Sequence, residues 1–178
     1  NGDGGLTFGS TLEQAAGTID AVGNLTVAST ANIAGTVTAA DAEIGGKLTQ
    51  TAGKLTATGN LTLKDGADVS GKVVANSVDA TGKTVIANTG ADIVVVSEIK
   101  AGTLDVNDGK VDAATVVATV VQDGGTVTVV DAVTGNVTQN DGKLSTDAVV
   151  GNVTQNGGEI TVADAVTGNV TQKGGTLS

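Results

Sequence analysis

The 178-residue chain contains no cysteine, methionine, histidine, proline, tryptophan, tyrosine or arginine, and its one aromatic residue is Phe8. Without cysteine there is neither a disulfide nor a thiolate site, which suits an exported bacterial protein and a cytoplasmic one equally. Without histidine or arginine the usual proton shuttle and anion clamp are missing, and without aromatics there is no platform for sugar rings or bases. No apolar run approaches the roughly 20 residues of a membrane span, so membrane insertion is not expected. No signal peptide is recognisable, and with no initiator methionine the sequence reads as a processed protein or an excerpt. Fifteen Asp and four Glu against nine Lys give a net charge of −10. Such a surface repels phosphates, which excludes nucleic acid as a partner. The same charge keeps rods from clumping sideways.

What the chain has in abundance is glycine at a fixed interval. Gly17, Gly35, Gly53, Gly71, Gly90, Gly109, Gly125, Gly142, Gly158 and Gly175 follow one another at gaps of 18, 18, 18, 19, 19, 16, 17, 16 and 17 residues. After most of them comes a small or charged residue and then an aliphatic one, as in Thr36-Val37, Lys54-Leu55 and Glu159-Ile160. The last third holds near copies: 131–139, 147–155 and 164–172 all read Asp-Ala-Val-(Thr/Val)-Gly-Asn-Val-Thr-Gln. A short fixed period of this kind marks stacked copies of one structural unit.

Val, Thr and Gly disfavour helix. Apolar residues alternate, as in Leu61-Thr-Leu63, so the period is two. Asn156-Gly157 and Asp108-Gly109 supply corners. Propeller blades need about 40 residues each, which excludes them here. The expected fold is all-β: a parallel β-solenoid (β-helix) of about ten rungs of 16–19 residues in one continuous repeat domain over 1–178. Rungs have 18–19 residues to about residue 108 and 16–17 thereafter. With strands about 4.8 Å apart, ten rungs make a rod on the order of 50 Å long. Ile19, Val37, Leu55, Val73, Val111, Val127, Leu144, Ile160 and Leu177 are expected in one inward line, with the ten glycines at a shared corner. Gln139, Gln155 and Gln172, with Gln122 one rung earlier, are expected to form a polar ladder.

Five Asn-X-Thr triplets begin at Asn24, Asn60, Asn136, Asn152 and Asn169. They are candidate glycan acceptors on an exported protein. The structural alternative puts each Asn at a corner, the middle Leu or Val inward and the Thr outward. Aspartates recur at repeat positions instead of clustering, so no catalytic residue, metal ligand or cofactor site is expected, and the chain is not expected to be an enzyme. The fragment Asn1-Gly-Asp-Gly-Gly5 is a lone echo of calcium-binding nonapeptide turns, which require tandem copies. Thr-X-Thr pairs such as Thr36/Thr38 and Thr126/Thr128 hint at ice-binding arrays but do not recur rung after rung.

The phrases Gly23-Asn-Leu-Thr-Val27, Gly59-Asn-Leu-Thr-Leu63 and Ala52-Gly-Lys-Leu-Thr-Ala57 resemble repeats of filamentous-haemagglutinin-type adhesins and autotransporter passengers. That resemblance implies a right-handed β-helix displayed outside the cell. The expectation that follows is an extracellular, cell-surface stalk or matrix fibre, structural or adhesive, binding a host or cell-surface ligand the sequence does not identify. Its other partner is itself, end to end through exposed rungs, or flanking repeats of the same chain. A carbohydrate-active or ligand-binding solenoid is the alternative.

Overall fold

Three-residue strands whose first and third side chains point the same way can line a narrow interior with two residues each. This is how the chain is built. The computed structural model describes residues 4–178, and among them every regular element is a strand. Each turn of the chain makes three short strands joined by corners, and all pairings are parallel, each strand lying on its counterpart one turn on. The result is a β-solenoid with three faces.

On the first face, which begins with Leu6–Phe8, the leading inward residues stack as Leu6, Leu25, Ala42, Leu61, Val78, Ile99, Val116, Val133, Val149 and Val166. The second face begins with Leu12–Gln14 and stacks Leu12, Ala31, Leu48, Ala67, Val85, Leu104, Val120, Val137, Val153 and Val170. The third, from Thr18–Asp20, stacks Ile19, Val37, Leu55, Val73, Ile93, Val111, Val127, Leu144, Ile160 and Leu177. Ten residues per column mean about ten turns, as the glycine count implied. Through the middle turns the chain rounds its corners without leaving extended geometry, so Lys72–Ala87, Asp92–Val106 and Lys110–Gln122 each serve more than one face. Nearly all column members are buried in a single aliphatic cluster. Stacking like on like closes the interior to a void of only about 10 Å³, bordered by residues such as Leu48, Leu61 and Ile93. That is about the space one water needs, and its lining is apolar.

Two details of the expected register are corrected. The inward line omits a member, because Ile93 stands between Val73 and Val111, which are two strand spacings apart and not one. The cause lies at the preceding corner. Gly90 is not at the shared position: Ala91 immediately precedes the strand start Asp92, where Gly71 and Gly109 precede Lys72 and Lys110. The rungs are also longer in the middle than 16–19 residues, since Val73 pairs with Ile93, 20 residues on, and Val78 with Ile99, 21 on. The additional residues sit in corners, at 88–91 and 96–98, where Thr89, Gly90, Val96 and Ser97 are exposed. A corner can grow outward without disturbing the strands it joins.

The interior narrows along the chain. The trailing inward position of the first face carries Phe8, Val27, Ile44 and Leu63 in the early turns. It then carries Ala80 and Ala101. In the late turns Gly135, Gly151 and Gly168 stack there, and a Cβ on Gly151 would stand 2.1 Å from the Gly135 carbonyl oxygen.

Candidate functional site

Among the described residues the main polar feature inside the solenoid is a column of glutamines at the trailing inward position of the second face, the other buried polar side chain being Thr146 on the third face. Gln122, Gln139, Gln155 and Gln172 occupy consecutive turns there. Gln14 and Gln50 occupy the same position earlier, separated by Ile33. Gln122, Gln139 and Gln155 are wholly buried. Burying an amide costs free energy unless its hydrogen bonds are replaced; here the Nε2 donors are satisfied, while the Oε1 atoms of Gln14, Gln50 and Gln155 are buried without a hydrogen bond among the described residues. Gln139 Nε2 donates to Gly142 O at 3.2 Å in its own turn and to Glu159 O at 3.0 Å in the next. Gln122 does the same to Gly125 and Lys143, and Gln155 to Gly158 and Thr176. The amides also bond one another, with Gln139 Nε2 and Gln155 Nε2 each 3.2 Å from the Oε1 of the glutamine one turn before.

The glycine three residues after each glutamine explains the arrangement. Gly17, Gly53, Gly125, Gly142, Gly158 and Gly175 all have positive φ, between 69° and 86°. Their second-to-third-face corners turn in the left-handed region, and the Gln amide donates to the corner carbonyl in most of them. Where the column holds Ile33, Val69 or Val106, the corner glycines Gly35, Gly71 and Gly109 lack positive φ. Gln-x-x-Gly thus pairs a left-handed corner with an internal donor, although Gly90, three residues after Ala87 in the same column, is left-handed at φ 87° without one. Of the ladder expected of Gln122, Gln139, Gln155 and Gln172, the first three bond one another, while Gln172 stacks in register but is exposed and bonds only Gly175. Gln14 and Gln50 were missed, although the same four-residue spacing marks them in the sequence.

The five sequon asparagines all lie exposed at corners, with Leu25, Leu61, Val137 and Val153 buried behind four of them and Val170 partly exposed behind Asn169. Three of their carboxamides accept from the backbone, and Asn60 Oδ1 accepts instead from the Ser77 hydroxyl at 2.6 Å. Asn136 Oδ1 accepts from Asn152 N at 3.0 Å and Asn152 Oδ1 from Asn169 N at 2.9 Å. Asn24 Oδ1 accepts from Asp41 N at 3.3 Å, and Asp41 Oδ1 in turn from Asn60 N at 2.7 Å. A second corner ladder runs through Asn88 and Asn107, then Asp123, Asn140 and Asn156.

The carboxylates are dispersed. Among the described residues no group of three or more Asp, Glu, His or Cys is placed to hold a metal ion. Part of the Asn1-Gly-Asp-Gly-Gly5 fragment lies outside the described residues. Among the described residues six Lys–carboxylate pairs line the surface, including Lys72–Asp92 and Lys143–Glu159. Among the described residues three groups titrate away from their ordinary range. Hydrogen bonds from the Thr81 hydroxyl and N–H hold the Asp79 carboxyl low. The Asp112 carboxylate pushes Lys110 up. Asp105 is pushed up by burial and secondarily by Asp123, and its Oδ1 is buried without a hydrogen bond. It faces outward between Ile86 and Val121 on the second face, with no opposing cation. No helix among the described residues is long and apolar enough to cross a membrane.

What the molecule offers is a regular stacking surface, one strand lying on the next along all three faces. Compared with known proteins, residues 11–89 match the family described as "Bactofilin: Polymer-forming cytoskeletal". Over that span, somewhat under half of its length, the chain is similar to a family of polymer-forming structural proteins. No curated protein and no solved structure matches it. The match corrects two expectations. A cytoskeletal family is not a surface-displayed one, so the extracellular, cell-surface placement and the adhesive role do not hold. The likeness to filamentous-haemagglutinin-type repeats finds no support beyond the β-helical fold itself.

Proposed function

We propose that the chain is a structural subunit of a cytoskeletal polymer, with 1–178 acting as one continuous repeat unit and copies joining rung to rung. The observation that carries this reading is the family match over residues 11–89. The physical support is the parallel pairing, which passes every turn from Leu6 to Leu177 without interruption. A rung that ends such a stack presents unpaired strand edges, which recruit another strand unless something covers them. The partner best matched to that edge is another rung with the same three faces and the same aliphatic columns. Side-chain polar groups are largely engaged in holding corners, so the reading calls for no reacting group. In it Asn24, Asn60, Asn136, Asn152 and Asn169 serve as corner caps.

Electron microscopy of the purified protein tests this. Thin unbranched fibres are expected, with an axial spacing of about 4.8 Å in diffraction. Dispersed monomers in sedimentation at high concentration, with no fibre on the grid, would overturn it.

A further inference from the structure

We propose that Asn156-Gly157 is a site of spontaneous deamidation, gated by the neighbouring Asn140. Among the described residues it is the one Asn-Gly pair, and it lies on the corner that the Gln-x-x-Gly device builds. Glycine has no side chain to shield its amide nitrogen from the preceding carboxamide, so the five-membered closure is least hindered there. The attacking nitrogen is also free: Gly157 N–H makes no hydrogen bond to any described residue. One turn earlier the equivalent nitrogen, Asp141 N, is tied to Gln122 O at 3.4 Å and belongs to a residue with a side chain. Asn156 itself is exposed, so hydroxide and water reach it.

The chemistry needs only water. The Gly157 nitrogen, having given up its proton to base, bonds to Asn156 Cγ. The Cγ–Nδ2 bond breaks and ammonia leaves. Water then opens the cyclic imide at either carbonyl, yielding aspartate or, with the main chain rerouted through the side chain, isoaspartate. Opposing this is the ladder. Asn156 Nδ2 donates to Asn140 Oδ1 at 2.7 Å, and Asn140 is fixed by donating to Asp123 Oδ1. While that bond holds, the carboxamide is directed along the stack. When it closes, a donor is replaced by a carboxylate facing Asn140 Oδ1, so the ladder loses this link irreversibly. The isoaspartyl product further inserts a methylene into a corner whose neighbouring turns are matched residue for residue.

The test is incubation of the intact protein at mildly alkaline pH, followed by peptide mass measurement and isoaspartyl-specific enzymatic methylation. Asn156 is expected to convert severalfold faster than Asn140 or Asn152, with a rate rising with hydroxide concentration. Asn140→Ser, checked for retained β-sheet signal, is expected to accelerate it severalfold, and Asn156→Ser to abolish the isoaspartyl signal in the peptide that carries residue 156. Conversion of Asn156 no faster than that of Asn152 would overturn the site. An Asn140→Ser protein that keeps its fold and deamidates at the parent rate would overturn the gate.

Discussion

Gln139 Nε2 lies 3.2 Å from the carbonyl oxygen of Gly142, three residues on, inside a sealed aliphatic interior. The pair joins two demands that would each be unfavourable alone: a buried amide needs acceptors, and a left-handed corner turns its carbonyl toward the core. Replacing Gln139 by Leu keeps the volume and removes the donor, and it also leaves Gln122 Oε1 without its partner. A loss of about 1–3 kcal/mol is expected from the orphaned acceptor, read as a lower urea midpoint. Gln172→Leu is the control. Its side chain is exposed and bonds only Gly175, so that variant should differ little from the parent. Equal losses at both positions would mean that the column contributes only packing.

The glycine half of the device is tested by two alanines. Gly17 and Gly142 share a left-handed backbone, at φ 81° and 86°, so each Gly→Ala carries a strain of about 1–2 kcal/mol. At Gly17 nothing lies within 4 Å of the added Cβ, whereas at Gly142 it would stand 2.7 Å from Gly125 O and 2.8 Å from Gln122 Nε2. Overpacking adds roughly 1–3 kcal/mol. Thermal unfolding should therefore rank parent above Gly17→Ala above Gly142→Ala, and a reversed order of the two variants would refute the account.

These residues also show how much was legible. The Gly spacing gave the class and the number of turns, because a solenoid repeats its corner whenever it repeats its strands. It misplaced Gly90 because the corner at 88–91 is longer and puts Ala91 in the shared position; spacing alone cannot tell which of two adjacent residues makes the turn. Ile93 was lost with it. Gln14 and Gln50 were overlooked because the turns between them carry Ile33 in the column, so no run of glutamines announces them. The error about location has a different origin. Phrases such as Gly59-Asn-Leu-Thr are what a corner of this kind demands, an Asn to cap, a Leu to bury and a Thr to face outward. They report the fold, and any solenoid uses them whichever side of a membrane it occupies.

Asp105 sets a pH dependence. Its carboxyl titrates above the ordinary range because burial disfavours the charged form and Asp123 adds a like charge. A carboxyl raised on folding binds its proton more tightly in the native state than in the unfolded chain. Its contribution therefore favours folding as pH falls through the native value, and weakens it once ionised. Asp105→Asn should melt higher than the parent at neutral pH, with the difference shrinking as pH falls from the native value of Asp105 toward the ordinary Asp range and gone below it. A gap that persists unchanged at low pH would show that charge is not the cause.

Salt separates the forces within a copy from those between copies. In all six ion pairs at least one side chain is more than 40% exposed, and such pairs contribute about 0–1 kcal/mol each. Screening them should lower the melting temperature only slightly. Between copies the net charge of −10 per chain is repulsive, and raising salt from about 0.01 M to 1 M shortens its reach from roughly 30 Å to 3 Å. Rung-to-rung contact is carried by aliphatic columns and main-chain hydrogen bonds, which salt of this kind leaves intact. The pelletable polymer fraction at fixed protein concentration should thus rise with sodium chloride while the melting curve barely moves. Dissolution of the polymer by salt would place its cohesion in ion pairs between copies and contradict stacking through the rungs.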